Sequence, residues 1–220
     1  MNVTFHDVKN SPEIRTYITQ ADASLLALGF TEHSFAHVGK CAEVAAHILT
    51  ELGHSEREVE LARVAAFMHD IGNVVNRVDH AQSGAVMAFR ILDKMGMPPA
   101  DVAMVVTAIG NHDEHTAFPV NAVAAALILA DKTDVRRSRV RNQDFSTFDI
   151  HDRVNYAVEQ SDVILDAPGK TITLTLTINT EVCAVMDYFE IFLQRMVLCR
   201  KAAESLGLRF RLEINGQVLL

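Results

Sequence analysis

Tryptophan is absent from this 220-residue chain, and aromatic residues make up only 6% of it. The core must therefore be aliphatic, built from Ala, Val, Leu, Ile and Met, and no obvious platform for stacking bases is present. Cysteine is scarce too. Cys41, Cys183 and Cys199 are odd in number and far apart, so they form neither a disulfide framework nor a CxxC metal knuckle. A reducing compartment follows, and the expected location is cytoplasmic. A cationic surplus is missing: 20 Lys and Arg face 28 Asp and Glu, for a net charge of −8. That balance argues against duplex nucleic acid as a partner, which would need a basic face. Long apolar runs are missing as well. The stretch Val120 to Ala130 is interrupted by Asn121 and ends at Asp131, too short to cross a membrane. The opening MNVTFHDVKN has no basic region followed by an apolar run, so no signal peptide is expected. There is no internal repeat and no low-complexity segment.

What the chain does have is helical periodicity over its first two-thirds. Asn10-Ser11-Pro12-Glu13 reads as a helix start, with the helix running towards Gly29. A second helix is predicted from near Thr31, carrying Val38, Cys41, Ala45, Ile48 and Leu52 on one face. Ser55-Glu56-Arg57-Glu58 is a capping box that opens a third helix reaching Met68, with Gly72 as its stop. A fourth spans Asp79 to Lys94, a fifth follows Pro98-Pro99 to Gly110, and a sixth runs from Asn121 through Asp131. Beyond residue 140 the pattern changes. Residues 149–165 are read as another helix, TITLTLT (171–177) as a half-buried strand, 181–205 as a long helix and RFRLEI (209–214) as a second strand before the tight turn Asn215-Gly216. The expected fold is mainly α: a helical bundle over residues 1–145, then a small α+β appendage of strand–helix–strand over 146–220. The appendage is expected to be structural, with a homodimer contact as a further role.

The dipeptide His-Asp occurs four times, at His6-Asp7, His69-Asp70, His112-Asp113 and His151-Asp152. Each helix of the bundle delivers a His or Asp near one end: His37, His69 and Asp70, His80, His112, and Asp131. The last directly follows the apolar AAALILA (124–130), where a carboxylate is costly unless paired or bound to a cation. Imidazole with carboxylate suits Fe, Mn, Zn or Co better than Mg or Ca. Spacing alone leaves two readings, a convergent metal site or polar residues that happen to end helices.

The order of these residues resembles the HD-domain superfamily of metal-dependent phosphohydrolases, whose signature is H…HD…D on a helical bundle. His37-Val38-Gly39-Lys40-Cys41-Ala42 is similar to the family's first-histidine helix. Ala66-Phe67-Met68-His69-Asp70-Ile71-Gly72 is close to its apolar-HDIG form, and Leu129-Ala130-Asp131-Lys132 to its LADK segment. The resemblance covers roughly residues 30 to 140. His80 in DHAQSGA and His112 in AIGNHDEH resemble the extra histidines of members that bind two metals. One departure stands out: some such members have His-His followed by GYP, where this chain has His112-Asp113 and EHTAFP. That speaks against cleavage of cyclic dinucleotides.

The resemblance implies His37, His69, Asp70, His80, His112 and Asp131 as metal ligands. Two divalent ions are implied, Fe or Mn first, then Mg, Co or Zn. His69 and Asp70 would be the catalytic pair, with Asp70 bridging the metals and orienting the attacking water. His33, Lys132 and Arg136 are candidates for substrate contact, the last two because a basic stretch, 132–141, follows the final ligand. The bland alternatives are a solvated basic segment and, for His33, a solvated or capping role. His6-Asp7 is read as preceding the first helix and His151-Asp152 as lying beside a helix start, His47 and His54 as surface residues, and His115 as loop or site rim. The function expected is a phosphohydrolase acting on a small nucleotide or related phosphorylated metabolite. Two alternatives stay open: an HD-type di-iron oxygenase, and a non-catalytic nucleotide sensor that dimerises through the appendage.

Overall fold

A computed structural model of the chain describes residues 3–219. A short helix α1 (Phe5–Asn10) leads into α2 (Pro12–Ala27), α3 (Phe35–Glu51), α4 (Glu56–Met68), α5 (His80–Lys94), α6 (Pro99–Gly110) and α7 (Ala122–Lys132). Local chemistry sets most of these starts. Ser11, Ser34, Ser55 and Asn121 each accept a backbone N–H of the first turn through the side chain, and Ser55 and Glu58 complete a reciprocal capping box. Helix α7 packs against α3, α4 and α6, and every residue from Val123 to Ala130 is buried. A helix apolar on all sides has to be enclosed on all sides, and α9 (Val185–Ser205) covers the remaining face of α7.

The C-terminal part starts with α8 (Ile150–Ala157), capped by Asp149, and passes into β1 (Val158–Asp166), β2 (Thr171–Ile178), α9, β3 (Arg209–Ile214) and β4 (Gln217–Val218). The strands form one sheet in the order β1-β2-β3-β4. Pairings β1–β2 and β3–β4 are antiparallel, while β2 and β3 run parallel with α9 as the crossover. Ile172, Leu174, Leu176 and Ile178 face the core between the more exposed threonines of β2. Asn215 and Gly216, both at positive φ (52° and 78°), make the last hairpin turn. Among the described residues no helix is long and apolar enough to cross a membrane.

Four expectations need correction. Residues 158–166 are a strand, not the end of a helix: their backbone is claimed by the edge of β2, in a register from Val158↔Ile178 to Asp166↔Thr171. The appendage sheet thus has four strands. The second helix begins at Phe35 rather than near Thr31, because Phe30 N–H caps back onto Leu25 and Glu32 N–H donates to Arg139 C=O, which holds residues 29–34 as a loop. His6-Asp7 does not precede the first helix but lies in the first turn of α1, where Asp7 and Thr4 form a capping box. The long C-terminal helix starts at Val185, not 181.

Candidate metal centre

Six side chains from five separate helix ends converge in the bundle. His37 comes from the first turn of α3, His69 and Asp70 from the end of α4, His80 from the first residue of α5, His112 from just beyond α6, and Asp131 from the last turn of α7. His37, His69, Asp70, His80 and His112 are all buried. Their rings form an edge-to-face chain, with centroids 5.3 Å apart for His37–His69, 4.9 Å for His69–His112 and 5.1 Å for His80–His112.

Each of the four histidines has its Nδ1 committed. His37 Nδ1 donates to Asp134 Oδ2 at 2.8 Å, His69 to Ala66 C=O at 2.7 Å, His80 to Arg77 C=O at 3.1 Å, and His112 to Ile109 C=O at 2.6 Å. An oxygen acceptor fixes the proton on Nδ1 and leaves Nε2 as a bare lone pair, the tautomer a metal requires. The inner atoms are correspondingly unpaired. His69 Nε2, His112 Nε2 and Asp70 Oδ2 are buried with no hydrogen-bond partner. Unsatisfied buried acceptors are costly, and a divalent cation satisfies them together.

The carboxylates divide the cluster in two. Asp70 Oδ2 lies 3.1 Å from His69 Nε2 and 3.7 Å from His37 Nε2, while Asp70 Oδ1 lies 3.7 Å from His80 Nε2. Asp131 Oδ1 is 3.3 Å from His37 Nε2 and 3.7 Å from His69 Nε2. One group of ligand atoms is therefore His37, His69, Asp70 and Asp131, and a second is Asp70, His80 and His112, with triads drawn from each lying within 4.8 Å of one another. Asn73 Nδ2 donates to Asp70 Oδ1 and to the Asp70 carbonyl, both at 2.9 Å, which fixes the carboxylate's tilt. The donor set of imidazoles and carboxylates fits Fe, Mn, Zn or Co.

Burial opposes charge on both carboxylates, yet their surroundings prevail. The His69 ring beside it holds Asp70 well below the usual carboxylate range, and the Lys132 ammonium does the same for Asp131. Burial pushes His112 and His33 well down and His80 down, so these rings are neutral. Cys41 sits 3.7 Å from His37 Nδ1, but burial drives its thiol well above the ordinary range, and it donates to Ala130 C=O.

Gly72 explains how the His-Asp turn and α5 come together. A Cβ at this position would meet His80 C=O at 2.0 Å and Gly84 N at 2.5 Å. Only glycine lets the 3₁₀ turn Ile71–Val74 close onto the start of α5, bringing His80 up to Asp70.

The cluster opens into a cavity of about 430 Å³. Its wall includes two of the three candidate substrate residues, His33 and Lys132. His33 Nδ1 donates to Thr31 C=O, so its Nε2 is an acceptor. Lys132 Nζ is 2.7 Å from Asp131 Oδ2 and 3.6 Å from Glu114 Oε1, so it serves the ligand carboxylate first. Arg136 is not in the wall. Its Nε and Nη2 are both on Asp134, at 2.6 and 3.0 Å, and that pairing turns it away from the cavity. Asp134 escaped notice in the sequence because its neighbours are basic. That basic surround was the signal, since Lys40, Arg136 and His37 all converge on this fully buried carboxylate. The wall also holds residues the sequence did not single out: Arg77, Arg139, Asp149, Asn155, Phe192 and Arg195. His151 and Asp152, read as plain helix-start residues, line it as well, whereas His47 and His54 lie near the surface beside Glu51 and Glu58.

Fold and site together define a class: a helical bundle whose helix ends bring together a buried histidine–aspartate cluster able to hold metal. Residues 34–136 match the family model of the HD domain. Among solved structures, the chain is similar to a predicted HD superfamily hydrolase from an uncultured Thermotogales bacterium, at 28% identity and a TM-score of 0.45, covering 56% of this chain and 67% of that one. No curated protein matches the sequence.

Proposed function

We propose that the chain is a metal-dependent phosphohydrolase that cleaves a phosphate ester or anhydride of a small nucleotide or related metabolite. The observation that carries this reading is Asp70, whose two carboxyl oxygens face two different sets of histidines at the floor of a cavity. His37, His69, Asp70 and Asp131 would hold one ion and Asp70, His80 and His112 a second. When bound, divalent ions supply Lewis acidity and a water of lowered pKa.

The chain's own residues do the rest. Asp70, tilted by Asn73, orients the attacking water towards phosphorus. Asp134 holds His37 in the ligating tautomer, and Lys132 keeps Asp131 ionised. His33 Nε2 accepts a hydrogen bond from a substrate hydroxyl, since its proton is on Nδ1. In the overall reaction the water oxygen bonds to phosphorus as the bond to the leaving oxygen breaks, and one water proton ends on the leaving oxygen. Cys41, buried and protonated, is not a nucleophile.

The test is phosphate release from a panel of nucleotides and sugar phosphates with added Mn, Fe, Co or Mg. Turnover that disappears in Asp70→Asn is expected. Oxygen uptake by the iron-loaded protein with no phosphate released across the panel would replace this reading with the oxygenase one.

A further inference from the structure

We propose that Arg77 positions the substrate's phosphate, and that the α8 side of the cavity restricts the site to substrates carrying a single phosphate on a hydroxyl-bearing, uncharged leaving group. The proposal rests on the phosphohydrolase reading and narrows it.

The cavity wall contains four cationic side chains outside the histidines: Arg77, Lys132, Arg139 and Arg195. Three are already committed. Lys132 pairs with Asp131 and Glu114, and Arg195 with Glu114. Arg139 donates to the carbonyls of Glu32 and Asp134 and lies 3.9 Å from the Asp134 carboxylate. Arg77 alone among them has no carboxylate partner among the described residues. Its guanidinium touches only neutral groups: Nη1 is 3.4 Å from Asn73 Oδ1 and 3.4 Å from His80 Nε2, and the group lies 5.5 Å from the Phe30 ring centroid. A partly buried guanidinium without a counter-charge is an anion site, and its planar fork suits two phosphate oxygens. Its place beside His80 puts that anion next to the second ligand group. Ligation through His80 Nε2 would also take up the lone pair that now faces Nη1, freeing that N–H for the anion.

The first turn of α8 has the opposite character. Asp149, the exposed N-cap, and the half-buried Asp152 line the same cavity, and neither has an ion-pair partner within 4 Å among the described residues. Asp149 accepts Asp152 N–H at 2.8 Å, and Asp152 Oδ2 accepts Asn142 Nδ2 at 3.2 Å, which leaves lone pairs for further donors. Carboxylates without counter-charges accept from hydroxyls and repel a second phosphate. Among the described residues, one cation and two carboxylates of the wall without ion-pair partners therefore suit a monophosphate of a polyol or nucleoside better than a di- or triphosphate.

Inorganic phosphate and pyrophosphate are the probes, titrated calorimetrically into protein equilibrated with Mn²⁺, with bound metal measured in parallel. Arg77→Ala and Arg77→Gln are expected to weaken phosphate binding about tenfold or more at unchanged metal content, with Arg77→Lys intermediate. The Asp149→Asn/Asp152→Asn double variant is expected to bind pyrophosphate several-fold tighter and phosphate as before. The proposal is overturned if wild type binds no phosphate, if the Arg77 variants bind it as tightly as wild type or lose metal, or if the double variant leaves the pyrophosphate-to-phosphate ratio unchanged. Arg77-dependent phosphate binding without phosphate release from any ester would defeat the hydrolase reading and leave the Arg77 assignment standing.

Discussion

Replacing Gly72 with alanine tests how the two ligand groups are held together. The added Cβ would lie 2.0 Å from the His80 carbonyl oxygen and 2.5 Å from Gly84 N, and real Cβ atoms essentially never come within 3.0 Å. Both obstacles are backbone, so no rotamer change can clear them. The 3₁₀ turn and the start of α5 must separate by roughly 1 Å, at an overpacking cost of about 1–3 kcal/mol. His80 Nε2, now 3.7 Å from Asp70 Oδ1, would move out with α5. The His37–His69–Asp131 group does not lie on α5 and should stay in place. The variant is therefore expected to keep its tighter metal, lose most of the second, and unfold at a lower temperature. A displacement of this size in a reacting site costs activity by about a hundredfold. Gly39→Ala is the control. It lies in α3 with nothing within 4 Å of its added Cβ, and alanine should stabilise the helix by about 0.5–1 kcal/mol. Metal stoichiometry by mass spectrometry and thermal melts of both variants decide the matter. If Gly72→Ala binds as much metal as wild type and melts no lower, Gly72 does not join the two groups.

Asp134→Asn removes the charge of the acceptor that holds His37, and metal affinity is expected to fall about 10–100-fold, read by competition with a chelator; unchanged affinity would show that Asp134 only neutralises the nearby cations. Metal-free protein should lose stability in acid. Burial holds His33 and His112 well below, and His80 below, the ordinary imidazole range. The folded chain thus stays unprotonated there while the unfolded chain takes up protons from about pH 6.5 downward, so stability is full above that pH and falls below it. For His69 the Asp70 carboxylate outweighs burial and the shift is upward, which offsets only part of the loss. Melting temperatures of the metal-free protein from pH 8 to pH 5 check this, and a flat profile refutes it. A chain truncated after residue 145 should be insoluble or aggregate, since removing α9 uncovers α7 and the core it shares with Phe192, Met196 and Cys199; a soluble, cooperatively melting product would show that the bundle is self-sufficient.

Signals confined to a few consecutive residues were readable without coordinates. Ser55 and Glu58 announce α4, Asn121 announces α7, and the threonine alternation of 171–177 announces β2, because caps and pleats are decided by neighbours along the chain. Strand β1 was not readable. VEQSDVILD carries polar residues on both faces, and what makes it a strand is the free edge of β2, about ten residues further along. The same limit applies to the cavity wall. Arg77, Asp149, Asp152 and Arg195 lie on segments that meet only in the folded chain, and nothing in their own sequence separates them from solvated charges. Arg136 shows the converse error. Its position just beyond Asp131 suggested a phosphate contact, but a buried carboxylate two residues away bound it first.

The candidate metal ligands stood between these extremes, and α7 shows why. Its apolar run is buried on every side, so the carboxylate that ends it enters the core whatever else the fold does. An ionised Asp131 there needs compensation, and Lys132 on Oδ2 supplies only half of it. The other oxygen is turned to His37 and His69, whose protons are tied up at Nδ1 by Asp134 and Ala66 and cannot be offered to it. A carboxylate oxygen facing two imidazole lone pairs is repulsive unless a proton or a cation lies between them. Burial of so apolar a helix thus creates the demand that a cation would meet. That is why the final aspartate could be picked out from its sequence context, while the charged groups of the cavity wall could not.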